Sequence, residues 1–127
     1  MRITELLEDI TQPELTQVER FADALWGKLG VEVEFTRHFF DRVNDPRNGK
    51  PITTAELIRL FKKEYERNGK QIAKLDGSEA VMKDLLTQIN LPFVVRDARR
   101  GDGKELVAKT VMRKDNFFTP DPEYVVR

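Results

Sequence analysis

Apolar residues recur at helical spacing near the start of the chain. Between Pro13 and Gly30 they fall three or four positions apart, which predicts one amphipathic helix. Thr11 is expected to cap this helix, and Pro13 suits its first turn. A shorter helix is predicted within residues 1–10 from the same spacing. The stripe of the longer helix consists of Leu15, Val18, Phe21, Ala22, Leu25, Trp26 and Leu29.

The middle of the chain combines a short strand with two more helices. "VEVEF" alternates apolar and charged residues, which is typical of a strand or of an extended entry to the next element. Thr36 is expected to cap a helix over "RHFFDRVND", which the turn residues of "NDPRNGK" end. Thr53 and Glu56 have the spacing of a capping box at the head of "TTAELIRLFKKEYERNGK". The Asn68-Gly69 pair is predicted to close that helix.

From about residue 79 the apolar period changes toward two. "EAVMKDL", "INLPFVVRD" and "ELVAKTVMRK" are typical of successive strands of an antiparallel sheet. Pro92 is expected at the start of its strand, where a missing amide donor is tolerated. The Asp-Gly pair in "ARRGDGK" indicates a hairpin turn, and "YVV" predicts a final short strand.

Helices followed by strands predict an α+β fold, with N-terminal helices packed on a C-terminal antiparallel sheet of three to four strands. The length of 127 residues predicts a single domain over residues 1–127. Within it we expect a helical N-terminal extension (1–30), an α+β core (31–118) and an extended tail (119–127).

Charge is balanced overall but unevenly distributed. The formal net charge is zero, yet residues 1–35 hold three Lys/Arg against eight Asp/Glu. Residues 36–70 hold nine against five, and residues 96–114 hold seven against three. The two basic segments either converge into one patch after folding or form separate solvated faces.

Composition also excludes several kinds of site. The chain has no cysteine and a single histidine, which excludes disulfides and thiol chemistry and argues against a zinc site. The sequence predicts no metal and no cofactor. No long apolar run or basic-then-apolar leader is found, so we expect a soluble, cytoplasmic protein with no membrane partner.

Three stretches, taken in order, resemble a ribonuclease class. "HFFDR" opens a predicted helix, "PRNGK" forms a basic turn, and "PITTAEL" heads the next helix before the strands begin. This order resembles the small toxins of the barnase–EndoU–colicin–RelE-like (BECR) fold, including relatives encoded by bacterial viruses. The resemblance covers residues 31–118. It implies a metal-independent endoribonuclease of toxin or phage-effector type, with RNA as substrate and an antitoxin or host protein as a further partner.

The resemblance also implies roles for individual residues. His38 would transfer protons, since its unperturbed pKa lies near 6.5, and Arg42 would clamp the phosphate. Thr110 would place a hydroxyl near the scissile phosphate, and Phe117 would stack a base. Arg113 and Lys114 are expected on opposite faces of one strand, so that only one reaches the site. The remaining substrate-binding candidates are Arg37, Arg47, Lys50 and Lys109, together with Arg113.

Other interpretations of these residues stay open. His38 lies among phenylalanines and would also suit a hydrogen-bonded position at the edge of a core. Arg42 would equally pair with Asp41, with Asp45 or with the acidic first helix. The whole chain would then be a non-catalytic accessory protein that binds nucleic acid or a host protein. The oligomeric state is left open by the sequence.

Overall fold

The computed structural model describes residues 9–99 and 101–127. The helix expected within residues 1–10 falls outside the described residues except for Asp9 and Ile10. Two 3₁₀ turns, Gly27–Leu29 and Pro46–Asn48, interrupt the regular elements. The helices are α1 (Gln12–Trp26), α2 (Arg37–Arg42) and α3 (Thr54–Ala73). The strands are β1 (Val31–Phe35), β2 (Glu79–Asp84), β3 (Ile89–Asp97), β4 (Lys104–Ala108), β5 (Met112–Arg113) and β6 (Glu123–Val126).

These elements form an α+β fold, which confirms the predicted class. The sheet has six strands in the order β1-β4-β3-β2-β6, with β5 pairing to β3 beyond the end of β4. It therefore has more strands than the three to four expected. It is also mixed, because β1 is parallel to β4 and β6 is parallel to β2. Both parallel strands are added at the edges by long connections, as parallel pairing requires.

The hydrophobic core lies between the sheet and the layer formed by α1 and α3. α1 packs on β1, α3 packs on β2 and β6, and the two helices contact each other. Phe35 of β1 stacks on Phe39 of α2 at 4.3 Å between ring centroids and on Phe61 of α3 at 5.7 Å. Phenylalanines of α2 and α3 therefore pack against the sheet at β1. No helix among the described residues has the length and apolar character needed to cross a bilayer.

The helix starts follow the predicted caps, but one predicted end is wrong. Thr11 and Thr53 each form a capping box with the glutamate three residues later. α3, however, continues through Gly69 to Ala73. A Cβ at Gly69 would lie 2.9 Å from Cδ1 of Leu29. This glycine therefore permits close packing against the turn after α1 and does not end the helix.

Carboxylates of α1 occupy the open edge of β1. Asp23 Oδ1 accepts a hydrogen bond from the amide of Val33 at 2.9 Å, and Glu19 Oε2 accepts one from the amide of Phe35 at 2.7 Å. Both amides point away from β4, the strand that pairs with β1 in the described part of the chain. The two side chains thus satisfy an edge that would otherwise be free to pair with another strand.

The stretch "ELVAKTVMRK" forms two strands, where the sequence predicted one. β4 ends at Ala108, β5 begins at Met112, and both pair with β3. Pro92 lies in the middle of β3, opposite this interruption, and not at the start of its strand as predicted. Its carbonyl accepts from the amide of Lys109 at 2.9 Å. Since Pro92 has no amide to donate, the sheet tolerates it at the point where the neighbouring strand is broken.

Candidate functional site

The broken strand holds the first turn of α2. Thr36, the N-cap of α2, accepts from the amide of Phe39 at 3.1 Å and donates its hydroxyl to the carbonyl of Lys109 at 2.8 Å. Its own amide donates to the carbonyl of Ala108 at 3.1 Å. These bonds fix the start of α2 against residues 108–109 and so bring His38 to the same cleft as Thr110.

The cleft has a volume of about 560 Å³ and opens to solvent. One wall comes from α2 and the following turn, and the other from the interruption between β4 and β5. Its side chains come from both basic segments of the sequence, so part of each segment meets here. The lining residues are His38, Arg42, Asp45, Arg47, Asn48, Thr110, Val111, Met112, Arg113 and Lys114.

His38, Arg42 and Asp45 form a chain of polar contacts along one side of the cleft. His38 is exposed. Nε of Arg42 lies 3.4 Å from Nε2 of His38, at the outer limit of a hydrogen bond. Nη1 of the same arginine donates to Oδ2 of Asp45 at 2.9 Å. The alternative in which Arg42 pairs with Asp45 is therefore observed, together with its contact to His38.

Asp45 is the centre of the turn that follows α2. It accepts from the amide of Arg47 at 2.8 Å and from Nη2 of the same residue at 2.8 Å, besides its bond to Arg42. The side chain and the amide of Arg47, followed by the side chain of Arg42, lower the pKa of Asp45 well below its usual value. The carboxylate is thus ionised and offsets part of the positive charge in the cleft.

Asn48 joins the turn to β5. Its Nδ2 donates to the carbonyls of Arg42 and Val43, each at 3.2 Å, and its Oδ1 accepts from the amide of Arg113 at 3.1 Å. The side chain is buried. Asn48 therefore fixes the distance between the two walls of the cleft.

Arg113 lines the cleft and uses all five of its N–H groups in hydrogen bonds within the protein. Nε donates to the carbonyl of Lys50, and Nη1 and Nη2 each donate to Glu56 and to one further carbonyl, that of Thr87 or Pro51. Its side chain is 8% exposed and that of Glu56 is 18% exposed. Arg113 lines the cleft, but it has no N–H group left for a ligand.

Burial would raise the pKa of Glu56. The hydrogen bonds from the Arg113 side chain and the Thr53 amide outweigh that effect, so the pKa of Glu56 is lowered overall. The carboxylate is therefore charged and matched to the guanidinium. This pair ties the start of α3 to β5.

Five of the nine predicted site residues share the cleft: His38, Arg42, Arg47, Thr110 and Arg113. Lys50 lines an adjoining depression that also contains Arg113 and Lys114, with a volume of about 580 Å³. The other three predicted residues lie elsewhere.

Arg37 lies in a separate depression beside Phe35 and Phe40. Lys109 forms an ion pair with Glu79. Phe117 packs near Lys83, whose Nζ is 5.9 Å from the ring centroid and bonds to the Phe117 carbonyl. None of these three lines the cleft.

Five cleft residues were not among the predicted site residues: the apolar Val111 and Met112, and the polar Asp45, Asn48 and Lys114. Lys114 lines the cleft together with Arg113, contrary to the expectation that only one would reach it, because β5 ends at Arg113 and strand alternation stops there. Asp45 could have been found from "NDPR", since an Asp before Pro commonly caps a turn. No local signal pointed to Asn48, whose partners include an amide 65 positions away.

Among the described residues no group of three or more His, Cys, Asp or Glu is arranged to hold a metal ion. Comparison of the chain with protein-family models, curated proteins and solved structures gives no match.

Proposed function

We propose that the cleft binds the phosphodiester backbone of RNA and that the protein cleaves it without a metal ion. The observation that carries this proposal is the placement of His38, Arg42 and Thr110 in one open cleft, with Arg47 and Lys114 beside them. The order of elements over residues 31–113 supports it, because a strand, a His/Arg helix, a basic turn and a second helix precede the sheet.

The chemistry follows from the requirements of ribose-assisted cleavage. A base removes the proton of the 2′-hydroxyl, an acid protonates the leaving 5′-oxygen, and cationic donors stabilise the extra charge on phosphorus. His38 is the group suited to proton transfer near neutral pH. Arg42 and Lys114 supply positive charge, and the hydroxyl of Thr110 supplies a neutral hydrogen-bond donor. Arg113 acts as a positioning residue, since its donors are all occupied.

A second candidate is a non-catalytic module that binds nucleic acid or a host protein. The charge pairing in the cleft favours it, because Arg42 and Arg47 share the carboxylate of Asp45 and Arg113 is paired with Glu56. In this case the cleft would still attract phosphate through Lys114, for which no salt bridge is found within the described residues.

The test is an RNA cleavage assay in EDTA at low salt, with a mixed-sequence RNA. The proposal predicts cleavage by the wild type that leaves cyclic-phosphate ends. His38→Ala should reduce the rate by about 10²–10⁴-fold. Thr110→Val should reduce it by a smaller factor. Lys62→Ala removes an exposed cation of α3 outside the cleft and should leave the rate unchanged.

The outcomes separate the two candidates. Binding of RNA without cleavage supports the second candidate and contradicts the first. Cleavage that persists in His38→Ala, with the variant folded as judged by circular dichroism, contradicts the catalytic role of His38.

A further inference from the structure

The two edges of the sheet differ in whether their outward backbone amides have hydrogen-bond acceptors. On β1 the outward amides of Val33 and Phe35 are bonded to Asp23 and Glu19. At the opposite edge lies β6, which within residues 9–99 and 101–127 is paired only with β2. Within the described residues, the outward amides of Glu123 and Val125 have no comparable acceptor. Unpaired strand edges are templates for pairing with another strand.

The direction of the free groups follows from the β2–β6 ladder. Val81 donates its amide to the carbonyl of Pro122, and Leu85 donates its amide to the carbonyl of Val126. In a parallel ladder alternate residues bond to the same neighbour. Tyr124 and Val126 therefore direct their backbone groups toward β2. Glu123, Val125 and Arg127 direct theirs away from it.

We propose that β6 pairs antiparallel with β6 of a second copy of this chain, about a two-fold axis at Val125. In this register Val125 faces the same residue of the other copy, and their backbones exchange two hydrogen bonds. Glu123 faces Arg127 of the other copy, with two further bonds on each side. Its carboxylate already lies 3.1 Å from Nζ of Lys83 in its own chain, so Arg127 of the other copy would add a second cation to this pair. The segment "EYVVR" is thus self-complementary in charge about its central valine. Opposite charges directly across an antiparallel pair are stabilising, whereas like charges are destabilising.

The side chains on this edge also suit a contact between copies. Val125 is 43% exposed, and pairing would cover it with its own symmetry mate. Exposed apolar residues also concentrate beside β6. Phe118, in the segment leading to β6, is 88% exposed, and Leu85 and Leu86 follow β2, where Leu85 bonds to Val126. Among the described residues, one further large apolar residue is exposed: Phe21, which lies on α1.

The pairing is expected to be reversible, since a four-residue edge forms a small interface and small interfaces are weak. Sedimentation velocity of the full chain over a roughly hundredfold range of concentration should show a monomer–dimer equilibrium. Val125→Pro removes the central amide, which faces away from β2, and should weaken dimerisation by roughly tenfold or more with the monomer fold intact. Val125→Lys should weaken it through repulsion between the two copies.

A charge exchange tests the register. Arg127→Glu alone should weaken the dimer because it places like charges opposite each other. Glu123→Arg alone should also weaken it, and because this change removes the ion-pair partner of Lys83 in its own chain, the fold of each variant is checked by circular dichroism. The double variant carrying both changes should restore dimerisation. Phe21→Ala, which removes an exposed ring distant from β6, should have no effect.

A wild type that stays monomeric over the whole range overturns the proposal. So does a dimer that Val125→Pro leaves intact, or a double charge variant that dimerises no better than either single variant.

Discussion

Nε of Arg42 lies 3.4 Å from Nε2 of His38, one helical turn away, while the same guanidinium donates to Asp45. The only histidine of the chain thus faces solvent beside a cation that a carboxylate already holds. These contacts hold the side chains along one side of the cleft in place, since Asp45 orients Arg42 and Arg42 contacts His38. It also makes Asp45 the residue that limits how much positive charge the cleft presents to a phosphate.

Replacing Asp45 by Asn should therefore strengthen the binding of RNA. Asn can still cap the turn by accepting from the amide of Arg47, but it no longer neutralises Arg42 and Arg47. The affinity should rise, and its logarithm should fall more steeply with the logarithm of salt concentration. Fluorescence anisotropy with a labelled single-stranded RNA measures both quantities. Arg47→Ala should change both in the opposite direction. Unchanged affinity in Asp45→Asn would show that phosphate does not bind beside this turn.

Arg113 should be important for stability and not for ligand contact. Removing one partner of a nearly buried ion pair leaves an uncompensated charge, so Arg113→Met should lower the free energy of unfolding by about 3–5 kcal/mol. Arg113→Lys should also destabilise the protein, because lysine cannot replace the two-pronged contact with Glu56. Urea unfolding measures both effects. Arg47→Ala, at an exposed pair, is the control and should change stability little. Equal losses in Arg113→Met and Arg47→Ala would contradict this role.

The local parts of the fold were predictable from the sequence. Thr11 and Thr53 form hydrogen bonds with residues three positions away, so their capping roles can be predicted from short stretches of sequence. Strands form after residue 79, where the apolar period changes, although β2 and β4 are buried at consecutive positions and do not alternate. Glu64 also gave a signal that the prediction did not use, since it continues the spacing of Leu57, Leu60 and Phe61 and is buried with them.

The cleft was predictable only in part, because its walls are joined by long-range contacts. His38 and Arg42 share a helix, so their proximity follows from spacing. The break that brings Thr110 beside them lies opposite Pro92 of the neighbouring strand, a pairing between residues distant in the sequence. The role of Gly69 could not be predicted for the same reason, because it depends on packing against Leu29, which is far away in the chain. Periodicity carries no information on such pairings.

The carboxylates at the β1 edge should protect its amides from exchange. Asp23→Ala and Glu19→Ala each remove an acceptor, so the amides of Val33 and Phe35, respectively, should exchange with solvent faster by roughly 10–100-fold. Native-state hydrogen exchange followed by NMR measures each amide separately. Glu32→Ala, on the exposed face of the same strand, should leave both rates unchanged. If the rates do not respond in the Asp23 and Glu19 variants, other groups satisfy this edge.

Glu64 should make stability fall as pH rises. Its side chain is fully buried, Oε1 accepts from Asn68 and Oε2 has no partner among the described residues. Burial is the largest cause and raises the pKa of Glu64 from 4.5 to about 8; the bond from Asn68 opposes this effect, and the nearby charge of Asp84 adds to it. Asp84 itself is paired with Arg59.

The folded state therefore holds this proton to higher pH than the unfolded state does. The contribution to stability is fully present below pH 4.5 and is lost progressively as pH rises to about 8. The loss should be on the order of 3–5 kcal/mol. Glu64→Gln, which has the shape of the protonated acid, should remove most of this dependence and make the protein more stable than the wild type at pH 9. Urea unfolding of both proteins across this pH range measures the difference. Parallel pH profiles of the two proteins would mean that Glu64 is ionised in the folded state.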